Sequence, residues 1–308
     1  MIAPLLAVLG GLVALTLGGE LLVRGAVGIS RLLGIAPLVT GVVVVGAATS
    51  MPELVASVQA AMLGSPEIAW GNVVGSNIAN SLLILGAGAL IAPIVLKGVG
   101  RRDALFGLVA AAALWLATAL QVASVLFGLS WLAALAIYIV WRLRHLPTGQ
   151  PDDEAGEGKP AWSWALLQFG GGLAALIGGG QLLVSGAIVL AELAGISETA
   201  IGLTVVAIGT SLPELAATAA AALRGRSDLA IGNVVGSNVY NLLLIGGVTM
   251  VVAPQPIPRE LFDVEWPVLV ASAALILGLC LYAQRIGRVL GLALLAAFAA
   301  NTALVFVL

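Results

Sequence analysis

The chain has 308 residues, of which 61% are hydrophobic and 9% are charged, and its mean hydropathy is +1.13. Soluble domains carry about 25% charged residues, so this composition excludes a water-soluble globular protein. The formal net charge of −2 gives no reason to expect a nucleic-acid partner. The single cysteine, Cys280, excludes an internal disulfide, and together with the single histidine it argues against a zinc or haem cofactor.

Long apolar runs recur along the whole chain, and about 20 such residues are enough to cross a bilayer as a helix. The sequence therefore predicts an all-α polytopic membrane protein with ten transmembrane helices. The predicted spans are 2–23, 36–63, 67–92, 104–122, 124–142, 161–186, 196–223, 229–253, 264–283 and 287–308. The N-terminal run lacks a basic leader and a cleavage site, so we interpret it as the first span and not as a signal peptide.

The basic residues are distributed very unequally between the two sides of these predicted spans. Twelve of the 13 Lys and Arg residues lie on one side, and only Arg259 lies on the other. The positive-inside rule assigns the basic side to the cytoplasm. The sequence therefore predicts a multi-pass protein of the cell inner (plasma) membrane with both termini outside.

A polar linker divides the chain into two similar halves. Residues 144–160 are predicted to be a solvated cytoplasmic tether, because their acidic cluster lacks the ligand spacing of an EF-hand. On either side lie 1–143 and 161–308, in which many residues match at an offset of 161. Each half has five spans, an odd number, so the second half enters the membrane from the opposite side. Two inverted five-helix repeats of this kind place a substrate site near the bilayer midplane and permit alternating access.

The most conspicuous repeated motif surrounds a glutamate in the middle of a span. Its two copies read Gly46-Ala47-Ala48-Thr49-Ser50-Met51-Pro52-Glu53 and Ala207-Ile208-Gly209-Thr210-Ser211-Leu212-Pro213-Glu214. An ionised carboxylate at the centre of a membrane costs at least ~2.5–3.5 kcal/mol, so its default interpretation is functional. An internal ion pair or a protonated packing residue is the structural alternative, but no Lys or Arg lies in any predicted span core, and the glutamate occurs twice. The pair of glutamates therefore predicts a bound cation.

The neighbours of both glutamates are suited to a hard cation. Thr49, Glu53 and Ser57 share one helix face, and the second copy repeats this pattern. The proline before each glutamate cannot donate to the carbonyl four residues earlier, which predicts a disturbed turn at Thr49 and at Thr210.

A second repeated motif follows in the next span of each half. Its copies read Gly71-Asn72-Val73-Val74-Gly75-Ser76-Asn77-Ile78-Ala79-Asn80 and Gly232-Asn233-Val234-Val235-Gly236-Ser237-Asn238-Val239-Tyr240-Asn241. In each copy the first Asn, the Ser and the last Asn share one face. Carboxylate, carbonyl, hydroxyl and amide oxygens are the ligands of Ca²⁺ and, to a lesser degree, of Na⁺. Nitrogen and sulfur ligands for transition metals are absent from these motifs.

These motifs resemble the two alpha repeats of the sodium/calcium exchanger family, within the cation/calcium antiporter superfamily, at residues 41–86 and 202–247. The resemblance implies an antiporter, not an enzyme, that exchanges Ca²⁺ for Na⁺ by alternating access. It implies that Glu53 and Glu214 coordinate calcium, assisted by the main-chain oxygens of Thr49 and Thr210. The further ligands that it implies, chiefly for sodium, are Ser50, Ser76, Ser211 and Ser237, the main-chain oxygens of Gly46 and Ala207, and the side chains of Asn80 and Asn241.

Asn241 departs from the pattern, since several sodium/calcium exchangers carry Asp at this position. Two fixed carboxylates are neutralised by one Ca²⁺ or by two protons, whereas three Na⁺ leave one positive charge. The sequence therefore permits electrogenic 3:1 exchange with Na⁺ or neutral exchange with H⁺, and the serines beside both glutamates favour Na⁺. A cation channel is a more distant alternative. The predicted site lies within one chain, so transport does not require an oligomer.

Overall fold

The computed structural model is largely helical and describes residues 2–33, 46–96, 99–144, 161–223, 225, 227–258 and 263–306. Eight helices in these ranges are long and apolar enough to cross a membrane, and a bent helix pair raises the number to nine. The prediction of an all-α polytopic membrane protein is thus confirmed. The beginning of the second predicted span and the linker after residue 144 lie outside the described residues.

The first half of the chain contains one long helix followed by shorter ones. Its elements are α1 (Ile2–Leu32), α2 (Gly46–Thr49), α3 (Met51–Met62), α4 (Pro66–Ile78), the first π-helical turn (Ala79–Ile84), α5 (Leu85–Ile91), β1 (Ile94–Val95), α6 (Arg101–Ala119) and α7 (Val125–Arg144). Between α6 and α7, Gln121 adopts a left-handed conformation with φ 52°. The predicted spans 104–122 and 124–142 are separated at this position, and the structure confirms the division.

The second half follows the same order. Its elements are α8 (Trp162–Ala194), α9 (Glu198–Ile201), the second π-helical turn (Gly202–Val206), α10 (Ala207–Thr210), α11 (Leu212–Leu223), α12 (Ser227–Tyr240), the third π-helical turn (Asn241–Ile245), α13 (Gly246–Val252), α14 (Glu265–Tyr282), β2 (Arg285–Ile286) and α15 (Arg288–Val305). π-helical turns are rare and occur frequently at functional sites. The first and third of them interrupt the two helices that carry the second motif.

Those two helices form the centre of the molecule. In Pro66–Ile91 and in Leu229–Val252, 78% of an apolar 18-residue segment is buried inside the protein. In the other six candidate spans the corresponding share is 11–44%. The indole rings of Trp70 and Trp266 meet at the centre, with their centroids 6.5 Å apart. The polar motifs are therefore enclosed by the surrounding helices and shielded from lipid.

Helices α1 and α8 pack along each other. A Cβ atom at Gly179 would lie 2.9 Å from the Leu15 amide nitrogen and 3.1 Å from the Gly11 carbonyl oxygen, so only glycine permits this approach. The two helices have 31 and 33 residues, and both extend beyond the predicted spans. α1 continues past Arg24, which forms an ion pair with Glu20 one turn earlier on the helix surface.

The two short strands join loops that are distant in the sequence. Ile94 pairs with Ile286 and Val95 pairs with Arg285, in antiparallel register. The Ser227 hydroxyl accepts a hydrogen bond from the Val95 amide at 2.9 Å. The ends of α5, α12 and α14 therefore meet at one end of the molecule.

Candidate cation-binding site

Both copies of the first motif break their helix at the serine. Ser50 lies between α2 and α3 with φ −84° and ψ 5°, and Ser211 lies between α10 and α11 with φ −84° and ψ 8°. In the second half the two helices bend by 43°. The cause is Pro52 or Pro213, which has no amide hydrogen to donate to the preceding turn. The predicted disturbance is confirmed in both halves.

The two glutamates of the first motif are completely buried and lie close enough for electrostatic repulsion between their charged forms. Glu53 Oε1 accepts a hydrogen bond from Ser211 Oγ at 3.0 Å. The Glu214 carboxylate faces Thr49 and Ser237. Each carboxylate therefore contacts the first motif of the opposite half of the chain. The ion pairs found among the described residues involve neither glutamate.

Asn72 fixes the position of Glu53 and was not among the predicted ligands. Its Nδ2 donates to the Glu53 carbonyl at 3.1 Å and to Ser57 Oγ at 2.8 Å. Its Oδ1 accepts from Ser76 Oγ and from Thr210 Oγ1, both at 3.2 Å. Because an amide side chain offers two donor and two acceptor positions, Asn72 is saturated and supports the site. In the sequence, Asn72 shares one helix face with Ser76 and Asn80, and this pattern could have identified it as part of the site.

Asn233 repeats half of this arrangement around the second glutamate. Its Nδ2 donates to the Glu214 carbonyl at 3.2 Å and to Thr218 Oγ1 at 2.9 Å. These are the same two bonds that Asn72 makes in the first half. The two halves thus hold their glutamate-bearing helices in the same local way.

Several predicted ligands are buried without a well-formed hydrogen bond within the described part of the chain. These atoms are the hydroxyls of Ser50 and Ser237, Glu53 Oε2, both carboxylate oxygens of Glu214, and both amide atoms of Asn80 and of Asn241. A buried polar atom that lacks a partner costs about 1–3 kcal/mol. Seven of these atoms are oxygens, which are the donors that hard cations prefer.

The π-helical turns carry the two last asparagines of the second motif towards the opposite half. The third π-helical turn, which begins at Asn241, packs against α3, the helix of Glu53. The first π-helical turn, which includes Asn80, packs against α11, the helix of Glu214. The structure thus brings residues from both halves to one polar centre.

The two predicted main-chain positions begin the short helices before each break. Gly46 is the first residue of α2, and Ala207 is the first residue of α10. The Ala207 carbonyl accepts a hydrogen bond from the Ser211 amide at 3.2 Å. Ala207 therefore lies next to the bend.

Comparisons with known proteins identify the class to which this fold and polar centre belong. The family described as "Sodium/calcium exchanger protein" matches residues 3–144 and 164–307. CaxA of Alkalimonas amylolytica, named as a candidate antiporter, is 37% identical over 99% of both chains. The sodium/calcium exchanger MaX1 of Methanosarcina acetivorans is 30% identical over 88% of this chain and 89% of its own.

A solved structure agrees with these sequence matches. The sodium-calcium exchanger NCX_Mj, soaked with 100 mM Na⁺ and 10 mM Sr²⁺, gives a TM-score of 0.68 at 30% identity over 98% of each chain. The fold is therefore that of a polytopic membrane transporter. This chain belongs to the sodium/calcium exchanger family, as the repeated motifs predict.

Proposed function

We propose that this protein exchanges Ca²⁺ for Na⁺ by alternating access and that Glu53 and Glu214 hold the calcium ion. The observation that carries this proposal is the pair of fully buried carboxylates, one from each half. Neither forms an ion pair with a basic residue in the described ranges. One Ca²⁺ supplies the two missing positive charges, and the main-chain oxygens of Thr49 and Thr210 at the helix breaks complete its environment.

Sodium ions occupy neighbouring positions in this proposal. Their ligands are Ser50, Ser76, Ser211, Ser237, the main-chain oxygens of Gly46 and Ala207, and the side chains of Asn80 and Asn241. The buried hydroxyl and amide oxygens without partners support this assignment. Exchange of three Na⁺ for one Ca²⁺ moves one net charge in each cycle, so transport is electrogenic.

The architecture that we propose consists of ten transmembrane helices in two inverted five-helix repeats, at 1–143 and 161–308, joined by the cytoplasmic linker 144–160. The equivalent bonds of Asn72 and Asn233 support an internal repeat. The reciprocal contacts of the π-helical turns with α3 and α11 also support it. A carrier with this symmetry can expose one central site to either side in turn.

We also propose that both termini lie outside the cell, in the inner (plasma) membrane. The pairing of β1 with β2 and the hydrogen bond from Val95 to Ser227 support the assignment of the basic loops to the same side of the membrane. These contacts join three of the loops to which the sequence assigns the cytoplasmic Lys and Arg residues.

Exchange of Ca²⁺ for H⁺ is the second candidate, because the centre contains two carboxylates and the neutral Asn241. Two protons would then neutralise Glu53 and Glu214 in the return step. This cycle would move no net charge, whereas exchange with three Na⁺ would.

Calcium-45 uptake into proteoliposomes tests both candidates. An outward Na⁺ gradient and an outward H⁺ gradient are compared, each at a clamped and then at a varied membrane potential. We expect uptake driven by Na⁺ that changes with voltage. Uptake driven by protons alone would replace the sodium proposal with the proton exchanger. Uptake that depends on neither gradient would indicate a channel.

A further inference from the structure

One asparagine in each copy of the second motif is left unused by the proposed cation site. Asn77 and Asn238 are equivalent residues, 161 positions apart. Successive residues of an α-helix are separated by about 100° around its axis. Asn77 and Asn238 therefore point away from Ser76 and Ser237, and both are buried.

These two side chains line a cavity of about 10 Å³ together with Ser81. The rest of its lining comes from α6, α12, α14 and the third π-helical turn and is apolar. This cavity shares no lining residue with the proposed ion ligands.

The hydrogen bonds around the cavity determine the orientation of both amides. Asn77 Nδ2 donates to the Val73 carbonyl at 2.7 Å. Asn238 Nδ2 donates to Ser81 Oγ at 3.0 Å, and Ser81 Oγ donates to the Asn77 carbonyl at 2.7 Å. Asn77 Oδ1 and Asn238 Oδ1 are left as buried acceptors without a donor in the described part of the chain. Two such acceptors require a ligand that carries two hydrogens.

We propose that Asn77 and Asn238 bind one buried water molecule, which donates one hydrogen to each Oδ1. A cavity needs about 10–15 Å³ of probe-occupied volume and polar partners to hold one water, and this cavity meets both conditions. A cation does not fit, because Ca²⁺ takes about 6–8 oxygen ligands and only two unpaired oxygens are available here.

The water molecule joins α4 to α12, the two central helices. Asn77 and Asn238 directly follow Ser76 and Ser237 in the sequence. They are therefore positioning residues that fix the rotation of both helices and, with it, the two serine hydroxyls. This second step rests on the proposed function, whereas the water site itself does not.

A double-mutant cycle measured without transported ions tests the water site. Asn77→Leu or Asn238→Leu leaves the other Oδ1 buried without a full set of partners, whereas the double variant removes both acceptors. We expect each single variant to lower Tm by about 2–8 °C and the double variant to lower it by clearly less than the sum. Ser272→Ala is the matched control, because the buried Ser272 hydroxyl, among the residues that the structure describes, bonds only to the Leu269 carbonyl of its own helix. Its effect should add to that of Asn77→Leu.

Additive losses for the two asparagines would overturn the shared water. A crystal structure of the wild-type protein gives an independent answer even if a variant does not fold. One density peak within hydrogen-bond distance of both Oδ1 atoms is expected. No peak there, or a direct bond between the two amides, would contradict the proposal.

Sodium affinity tests the positioning role. We expect the Na⁺ concentration for half-maximal exchange to rise about fivefold or more in Asn238→Leu, with little change in Ser272→Ala. If this Na⁺ concentration is unchanged while the Tm losses are non-additive, the positioning role is wrong and the water site is supported. If the wild-type protein shows no Na⁺-dependent exchange, the proposed function is wrong. The Tm measurements would still test the water site, because they do not depend on transport.

Discussion

Asn72 and Asn233 hold equivalent positions, but their hydrogen bonding differs. Asn72 makes four side-chain bonds, and Asn233 makes two with described residues. Each buried group that loses its partner costs about 1–3 kcal/mol. We expect Asn72→Ala to lower the Tm in detergent more than Asn233→Ala does. Equal losses would show that the bonds to Ser76 and Thr210 add nothing to stability.

The charge of the two glutamates decides transport in our proposal. Glu53→Gln or Glu214→Gln keeps the shape of the side chain and removes the negative charge that holds Ca²⁺. Either variant should reduce calcium uptake to the background of empty liposomes without unfolding the protein. Glu192→Gln, at an exposed position on α8, serves as the control and should transport normally. Normal uptake by either glutamine variant would refute the assigned site.

Most residues of this centre could be predicted from the sequence, because the same polar motif occurs twice within apolar spans. The saturated role of Asn72 could not, since its four bonds depend on how α3, α4 and α10 meet. The sequence also could not distinguish the two equivalent serines. Ser211 donates a hydrogen bond to Glu53, whereas the Ser50 hydroxyl has no well-formed bond among the described residues. Sequence symmetry specifies candidate ligands, and tertiary contacts decide which of them already have partners.

At the scale of elements, the break between α2 and α3 is the feature most open to test. Pro52→Ala restores an amide that can donate to the Ala48 carbonyl, so that α2 and α3 can join across Ser50 into one continuous helix. We expect a higher Tm together with slower calcium exchange, because the straightened helix withdraws main-chain oxygens from the site. Exchange is measured as calcium-45 uptake.

Pro66→Ala provides the matched control. Pro66 lies at the start of α4, where a missing amide hydrogen is tolerated. Its replacement should leave both Tm and exchange nearly unchanged. If Pro52→Ala also transports at the wild-type rate, the break is not needed for ion binding.

The helices themselves were easier to predict than their ends and irregular turns. Apolar length predicted the long helices of the described residues, including the division at Gln121. The π-helical turns depend on side-chain contacts between distant segments, so no local pattern indicated them. α1 extends past its predicted end at residue 23 because a scan for apolar runs stops at a charged residue, here Arg24, whereas the helical backbone continues through it.

At the scale of the whole molecule, the balance of charge in the centre determines the coupling. Asn241→Asp would raise the number of fixed carboxylates from two to three, so three Na⁺ would neutralise the site fully. We expect a changed pH dependence of exchange, or a changed ratio of Na⁺-driven to H⁺-driven calcium-45 uptake, in proteoliposomes, with little change in Tm. Gln121→Glu adds a carboxylate at an exposed turn outside the site and is the comparison, which should change neither quantity. Unchanged coupling in Asn241→Asp would contradict the charge argument.

The lengths of α1 and α8 connect this transporter to its lipid environment. Helices of 31 and 33 residues extend over about 46–50 Å, whereas the hydrocarbon core of a bilayer is about 30 Å thick. Such a difference in length is accommodated by tilting and by extension of the helix ends into the headgroup region, and the tilt depends on bilayer thickness. Because these helices also contact α2, α3, α10 and α11, a change of tilt reaches both broken helices. We therefore expect turnover in phosphatidylcholine liposomes to rise as the acyl chains lengthen towards a better match, which makes membrane thickness a regulator of ion exchange.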